Sequence, residues 1–449
     1  MPRRGSSEAE PHLPDDAERA SQPDMVAFLQ RLIHEQGDKV RYDSPYGPVY
    51  FFNHPDQVQV VLHGGNFVRT SLVSLVLGQG LLASEGAHWR AQRRLAQPLF
   101  HEACLPAFIP AIIDATQAML RRWDETCHNG ATLDVSSEMR RLTLEVIFGA
   151  FFSSLPEGDA GDWDAALTTL IEDLGAISST QFNVPLSFSP TRHARFQEAL
   201  QSIDCKVRRM IEVRRALEDK PRDLLTLLIQ KKDGTTGQPL EDVQIRDEVV
   251  TMLIAGHETT AIALGWVWQA LAENPAVEER MSAELEQVLQ GRTPTANDLP
   301  GLRYTRMVLE ETMRLYPPVW VTSRQTLVEE ELAGCRIPAK TVVLISAYTT
   351  HRHPEFWEEP ERFNPERFDP EKEQKRHRYA YLPFGGGRHV CLGQSFAILE
   401  GQIILARILP RWKIRPAHGH TAEIDPSITL RQRGGLWMTV EPRSPLIAP

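Results

Sequence analysis

The sequence predicts a mainly α-helical protein with a smaller β region, and three observations carry that expectation. Apolar residues recur with helical period through residues 25–37, 111–152, 163–177, 192–217, 245–273 and 302–316. Strand-like runs are few and short, at 40–42, 48–52, 319–326, 341–348, 428–430 and 436–440. No interior stretch has the composition of a linker. The 449-residue chain therefore reads as one α-rich unit over 25–449, although a prior of ~150 residues per domain would give about three.

Composition also excludes. Hydrophobic content of 42% is ample for a core, and 24% charged residues suits an ordinary soluble surface. Lys plus Arg total 49 against 59 Asp plus Glu, a formal net charge of −10 that argues against non-specific nucleic-acid binding. The cysteines are Cys104, Cys127, Cys205, Cys335 and Cys391, widely spaced and without a CxxC pair, the usage of a reduced, cytoplasmic chain. No apolar run reaches the roughly 18 residues of a membrane span. Residues 1–24 are polar, lack the apolar stretch of a signal peptide or anchor, and read as a flexible tail.

In chain order, helix 25–37 is followed by a hairpin of 40–42 and 48–52 around Ser44-Pro45-Tyr46-Gly47. Residues 55–63 form a short helix. Residues 67–82 are apolar with two glycines, either a ligand wall or simply a buried loop. Residues 88–100 form a basic helix on which Trp89 and Arg93, four apart, share a face. That face offers a donor and a cation to a carboxylate, or is a solvated basic stripe. Helix resumes over 111–152, opening at Pro110 and interrupted at His128-Asn129-Gly130. It resumes again over 163–177 with Asp162 as N-cap. Residues 181–190 carry two prolines among Phe182, Leu186 and Phe188, a lid over a cavity or an ordinary connection to helix 192–217.

Residues 245–273 form the longest helix, about 44 Å at 1.5 Å per residue, and Pro275 stops it. Its middle is Ala255-Gly256-His257-Glu258-Thr259-Thr260. Glycine costs ~1 kcal/mol there, and a buried carboxylate needs partners or a proton. Either the threonines bond back to carbonyls one turn earlier with Glu258 turned to solvent, or the helix is locally opened beside a reactive centre. In helix 302–316, Glu311 and Arg314 are i, i+3 neighbours, and Pro317-Pro318 ends the run. A proline-rich coil follows, containing Pro360-Glu361-Arg362-Phe363 and Pro365-Glu366-Arg367-Phe368. Residues 372–378 are basic, a solvated loop or a dock for an acidic donor. Strands 428–430 and 436–440 read as a pair around Gly434-Gly435.

The most informative stretch is Phe384-Gly385-Gly386-Gly387-Arg388-His389-Val390-Cys391-Leu392-Gly393. Glycines let a backbone turn tightly and approach a ligand closely. A lone cysteine just ahead of helical run 394–409 sits in a field that favours thiolate. It is a nucleophile, a ligand to one metal, or a buried free cysteine beside a flexible turn.

Phe384 seven before the cysteine, Gly387 four before it and Gly393 two after it resemble the haem-binding loop of the cytochrome P-450 family. The resemblance implies haem b as cofactor with Cys391 as its axial ligand. His389 stands where that family often has an arginine on a haem propionate, so a fixed positive charge is lost. Other stretches fall in the family's order. Trp89 and Arg93 resemble the WxxxR pair that meets a propionate, and Arg324 lies where another propionate contact is common. Residues 255–260 resemble the oxygen-activating motif, in which Thr259 would orient dioxygen and water and Glu258 would relay protons. Glu311 and Arg314 resemble the buried ExxR pair, with Arg367 of the PERF motif as third member.

Together these imply the single-domain cytochrome P-450 fold, haem lying between the long helix and the cysteine loop. They imply a monooxygenase hydroxylating or epoxidising a lipophilic small molecule, terpenoid or fatty acyl, with O2 and electrons from a separate ferredoxin- or flavodoxin-type donor. A peroxide-driven oxygenase and a non-catalytic haem sensor are the alternatives, and the intact Glu258–Thr259 pair argues against both. The candidate substrate walls are 67–82, 181–190, 253–263, 319–322 and 431–436.

Overall fold

The computed structural model describes residues 24–70, 73–128, 130–153, 160–178, 190–232 and 237–443. The expected tail, save Asp24, and the possible lid at 181–190, save Pro190, lie outside the described residues. The principal helices are α1 (Met25–Gln36), α2 (Pro55–His63), α3 (Gly86–Ala96), α4 (Ile109–Thr126), α5 (Val135–Phe152), α6 (Ala160–Ser178), α7 (Pro190–Ala216), α8 (Leu224–Gln230), α9 (Asp242–Glu273), α10 (Pro275–Leu289), α11 (Arg303–Leu315) and α12 (Gln394–Ile408). The strands are β1 (Lys39–Ser44), β2 (Gly47–Phe52), β3 (Phe67–Arg69), β4 (Ala131–Asp134), β5 (Thr322–Thr326), β6 (Glu330–Leu332), β7 (Cys335–Ile337), β8 (Val342–Ile345), β9 (Trp412–Pro416), β10 (Ile424–Pro426), β11 (Leu430–Gln432) and β12 (Trp437–Pro442).

The expected class holds: mostly helix, with the strands in small sheets. The largest has the order β1-β2-β8-β5-β3. Its hairpin is the expected one, with Ser44 opposite Gly47 at the turn. Helix α9 spans 32 residues, about 48 Å. Leu253, Leu264 and Val267 along it are fully buried, and it packs against α5, α7 and α11. By length and hydropathy alone two helical stretches, Glu102–Thr126 and Asp242–Glu273, could cross a membrane; 78% of the second one's apolar window is buried inside the protein, as in a core helix.

Three expectations need correction. Residues 67–82 hold β3 and a helical turn at Ser74–Leu77, because Phe67 is buried and β3 completes the sheet beside β5. Helix α6 begins two residues before Asp162, which therefore lies in the first turn instead of capping it, still opposite the partial positive charge of the helix start. The last strands do not pair with each other. β11 pairs with β10, whereas β12 pairs with β4 and β9. Gly434 and Gly435, with φ of 69° and 89°, carry the chain from one sheet to the other.

Candidate active site

The cysteine loop rests on α2. Gly387 has φ of 65°, and a Cβ there would lie 2.1 Å from the Leu62 carbonyl oxygen, so both backbone and space demand glycine. The Cys391 N–H donates to the Phe384 carbonyl at 2.9 Å, which closes the loop. The Phe384 ring packs on Ala263, Met313 and Ile398. Gly393 precedes α12, and a Cβ added there would meet only the Phe100 ring at 3.7 Å. Cys391 has accessible surface, and it lines a cavity. Burial raises the pKa of its thiol, opposed by the Gly393 N–H and the charge of Arg93. Burial is the larger influence here, not the helix-terminal field the sequence suggested.

That cavity, of ≈ 400 Å³, separates the loop from the middle of α9. Ala255, Gly256, Glu258, Thr259 and Thr260 all line it. The helix stays continuous through this segment. Thr259 Oγ1 donates to the Ala255 carbonyl at 2.9 Å and Thr260 Oγ1 to that of Gly256 at 3.3 Å. Gly256 serves packing, since a Cβ there would come 2.6 Å from Ile147 Cδ1 of α5. Glu258 is not turned to solvent: it is 1% exposed. Arg431 Nε reaches its Oε1 at 2.6 Å, and Thr429 Oγ1 donates to the same oxygen at 3.2 Å. Burial acts to raise its pKa, but Arg431, with His257 and Arg140, holds the carboxyl below the usual range.

At the loop end of the cavity the side chains are charged. Arg93 Nη1 donates to the Val390 carbonyl at 2.7 Å, and Trp89 meets the His389 ring edge-on at 4.5 Å between centroids. His389 Nε2 is 3.3 Å from Glu85 Oε2. Arg69 Nε is 3.0 Å from Glu85 Oε1, and Arg69 also bonds the Ser84 carbonyl. Burial raises the Glu85 carboxyl, but His389 and Arg69 more than offset it and hold it down to about 2. Arg324 donates to Thr322 Oγ1 at 3.1 Å and the Ser323 carbonyl at 2.8 Å, and burial pushes its guanidinium down to about 10. Sequence reasoning missed Arg69 and Glu85; the one available signal was an acid directly before Gly86 at the start of α3.

Glu311 and Arg314 are both fully buried, so they are no surface pair. Arg314 grips Glu311 through Nε and Nη2 at 2.7 and 2.8 Å. The Asn364 N–H donates to Glu311 Oε1 at 2.7 Å, and Arg367 Nε lies 3.4 Å from the same oxygen. Sequence reasoning missed His351 as well. Its Nδ1 donates to the Arg314 carbonyl at 3.2 Å and its Nε2 accepts from the Leu382 N–H at 2.8 Å. Leu382 is two residues ahead of Phe384, so this fully buried imidazole ties α11 to the root of the cysteine loop. Burial lowers it to about 3, which keeps it neutral and suits one donor and one acceptor. Within the basic run 372–378, Arg376 lies over the rings of Trp357 and Phe368 at 4.3 and 4.7 Å and is not a solvated charge.

Of the expected walls, 67–82, 253–263 and 319–322 contribute cavity residues. The wall expected at 431–436 does not; the lining residues there are Ile428 and Thr429, because β11 turns Arg431 towards Glu258.

Fold and site define a class: a helix-rich protein with a largely apolar cavity between a long helix and a cysteine loop. The family described as Cytochrome P450 matches residues 18–438, and the chain belongs to that family. It is a cytochrome P450 monooxygenase, an oxidoreductase. It is 36% identical, over 93% of its length and 91% of the relative's, to "Cyclooctat-9-en-7-ol 5-monooxygenase" of Streptomyces melanosporofaciens. It is 37% identical to "Cyclooctatin synthase" of the same organism, with 93% and 91% covered. To "Cytochrome P450 4F2" of Homo sapiens it is 30% identical, with 93% and 86% covered. Among solved structures, the heme domain of cytochrome P450DA aligns with a TM-score of 0.85 at 24% identity, over 94% of this chain and 93% of that one, a likeness of fold.

The family implies a cysteine-ligated haem, dioxygen, a redox partner and a lipophilic substrate. The residues present fit such a group. Arg93 and Arg324 line the cavity beside Cys391, and among the described residues no carboxylate lies within ion-pair distance of either. Two such cations suit a flat apolar group carrying anionic side chains.

Proposed function

We propose that this chain hydroxylates an uncharged terpenoid with dioxygen, as a cytoplasmic enzyme fed by a separate ferredoxin- or flavodoxin-type donor. The observation that carries this reading is the division of the cavity. Its cations, Arg69, Arg93 and Arg324, gather around Glu85 and the cysteine loop. The rest of the wall is mainly aliphatic, with Leu77, Leu81, Ile171, Leu174, Val319 and Ile428. Among the described residues, no free cation waits there for a fatty-acid carboxylate, since Arg431 already serves two acids. An uncharged, rigid hydrocarbon skeleton fits such a wall. The relative named for oxidising cyclooctat-9-en-7-ol, an unsaturated alcohol, points the same way.

In this reading Cys391 would hold the iron of haem b, and Arg93 and Arg324, with Trp89 and His389 beside them, would hold its propionates. When bound, the haem supplies the activation of dioxygen. Thr259 keeps a hydroxyl at the cavity face, where it would orient dioxygen and a water. Glu258, ionised and adjacent, takes protons from water and passes them towards that hydroxyl. Glu311, Arg314 and Arg367 hold the loop's support in place. The aliphatic wall orients the substrate and excludes bulk water.

The test is an absorption titration of the haem-loaded ferric protein with uncharged terpenes and with fatty acids. Terpenoids should convert a low-spin thiolate spectrum to high spin, and fatty acids should not. A shift with fatty acids alone would sink the substrate assignment. A thiolate spectrum retained by Cys391→Ala would sink the ligand assignment.

A further inference from the structure

Arg431 sits on β11, 173 residues from the acid it grips. Its Nε is 2.6 Å from Glu258 Oε1, and its Nη1 is 3.2 Å from Glu172 Oε1 on α6. The side chain is 13% exposed. Glu258 thus has one oxygen tied by Arg431 and Thr429, while its Oε2 is buried with no hydrogen-bond partner among the described residues. Helix α6 also reaches the neighbouring residue. Asp164, two turns before Glu172 and on the same face, has Oδ1 3.9 Å from His257 Nε2 and Oδ2 3.3 Å from Arg140 Nε. Beside Glu172, Ile171 and Leu174 of α6 line the cavity.

We propose that Arg431 is a positioning residue that holds Glu258 as an anion with one oxygen tied and one available, and that Glu172 makes this setting depend on how α6 is seated. The inference rests on the reading that Glu258 handles protons. A carboxylate this deep would take up a proton without a cation beside it. The groups that face it are Arg431 and Thr429 from the β11 side, Arg140 from α5, and His257 on its own helix. Among the described residues, only Arg431 is in direct contact as a cation. Because Glu172 shares that guanidinium, its grip on Glu258 is looser than an exclusive pair would be. A substrate that presses on Ile171 and Leu174 bears on α6, and through Glu172 on the acid.

The test uses the haem-loaded enzyme with its donor, reading peroxide released per NADPH consumed, the solvent isotope effect and the pH profile. Arg431→Gln should raise the peroxide fraction several-fold and shift the pH profile, and Arg431→Lys should restore much of both. Glu172→Gln should change the peroxide fraction while leaving the substrate-induced spin shift in place. Infrared spectra of carboxyl-labelled protein give a readout independent of turnover: Arg431→Gln should convert one ionised glutamate to its protonated form, a band absent once Glu258→Gln is added. If Glu258→Gln leaves coupling intact, the proton-handling reading fails. If Glu258→Gln uncouples but Arg431→Gln and Glu172→Gln do not, this inference fails. Should Arg431→Gln not load haem, Glu172→Gln decides, and unaltered coupling overturns the proposal.

Discussion

Gly387 and Gly393 flank the same cysteine and look equivalent in the sequence, yet only one is physically compelled. Gly387→Ala would force a left-handed backbone on alanine and drive its Cβ into the Leu62 carbonyl, with strain of about 1–3 kcal/mol before any rearrangement. Haem loading should drop sharply in that variant. Gly393→Ala meets one aromatic ring at van der Waals distance and should load normally; absorption per polypeptide compares the two. A second prediction concerns Glu248. Burial, with Asp247 adding to it and the Leu81 N–H opposing, lifts this carboxyl to about 8. The folded protein then holds a proton that the unfolded chain releases near 4.5. Stability from this group is full below the unfolded value and falls as pH rises through about 8, by up to the order of 5 kcal/mol. Glu248→Gln should flatten the decline of Tm between pH 5 and 8, and an unchanged slope would show that other groups set it.

At the scale of elements, α9 and α11 were legible because their apolar period is long and proline stops both. The buried character of the Glu311–Arg314 pair was not legible from spacing, since i, i+3 ion pairs are ordinary on exposed helices. Its depth comes from the proline-rich coil that folds over it, whose Asn364 N–H and Arg367 close the cluster. Glu311→Ala would leave Arg314 charged and unpaired in the core, at about 3–5 kcal/mol. Thermal unfolding and haem incorporation should both report the loss; an unchanged Tm would contradict the burial. The pairing of β11 and β12 was misjudged because nearness in sequence suggested a hairpin, whereas each strand bonds to a partner placed by the fold. His351 gave no signal at all, because its two nitrogens bond backbone groups at Arg314 and Leu382 that the chain alone does not bring together.

At the scale of the whole molecule, the axis of the site was legible because its landmarks sit in short motifs: Cys391 with its glycines, and Glu258 with Thr259. The surroundings were not, because Arg69, Glu85 and Arg431 come from separate elements and meet only after folding. One pairing in the large sheet has a mechanical meaning of its own. In the register of β3 against β5, Arg69 stands opposite Arg324. Like charges across a ladder push strands apart, and Glu85 answers Arg69 but makes no ion pair with Arg324. The outermost strand therefore carries a like-charge pairing, which an anion settling beside Arg324 should relieve. Amide exchange at Phe67–Arg69 should slow when haem is loaded, more than at β1 on the opposite edge. The sheet margin would then work as a gauge, reporting through backbone amides whether the pocket beneath it is filled.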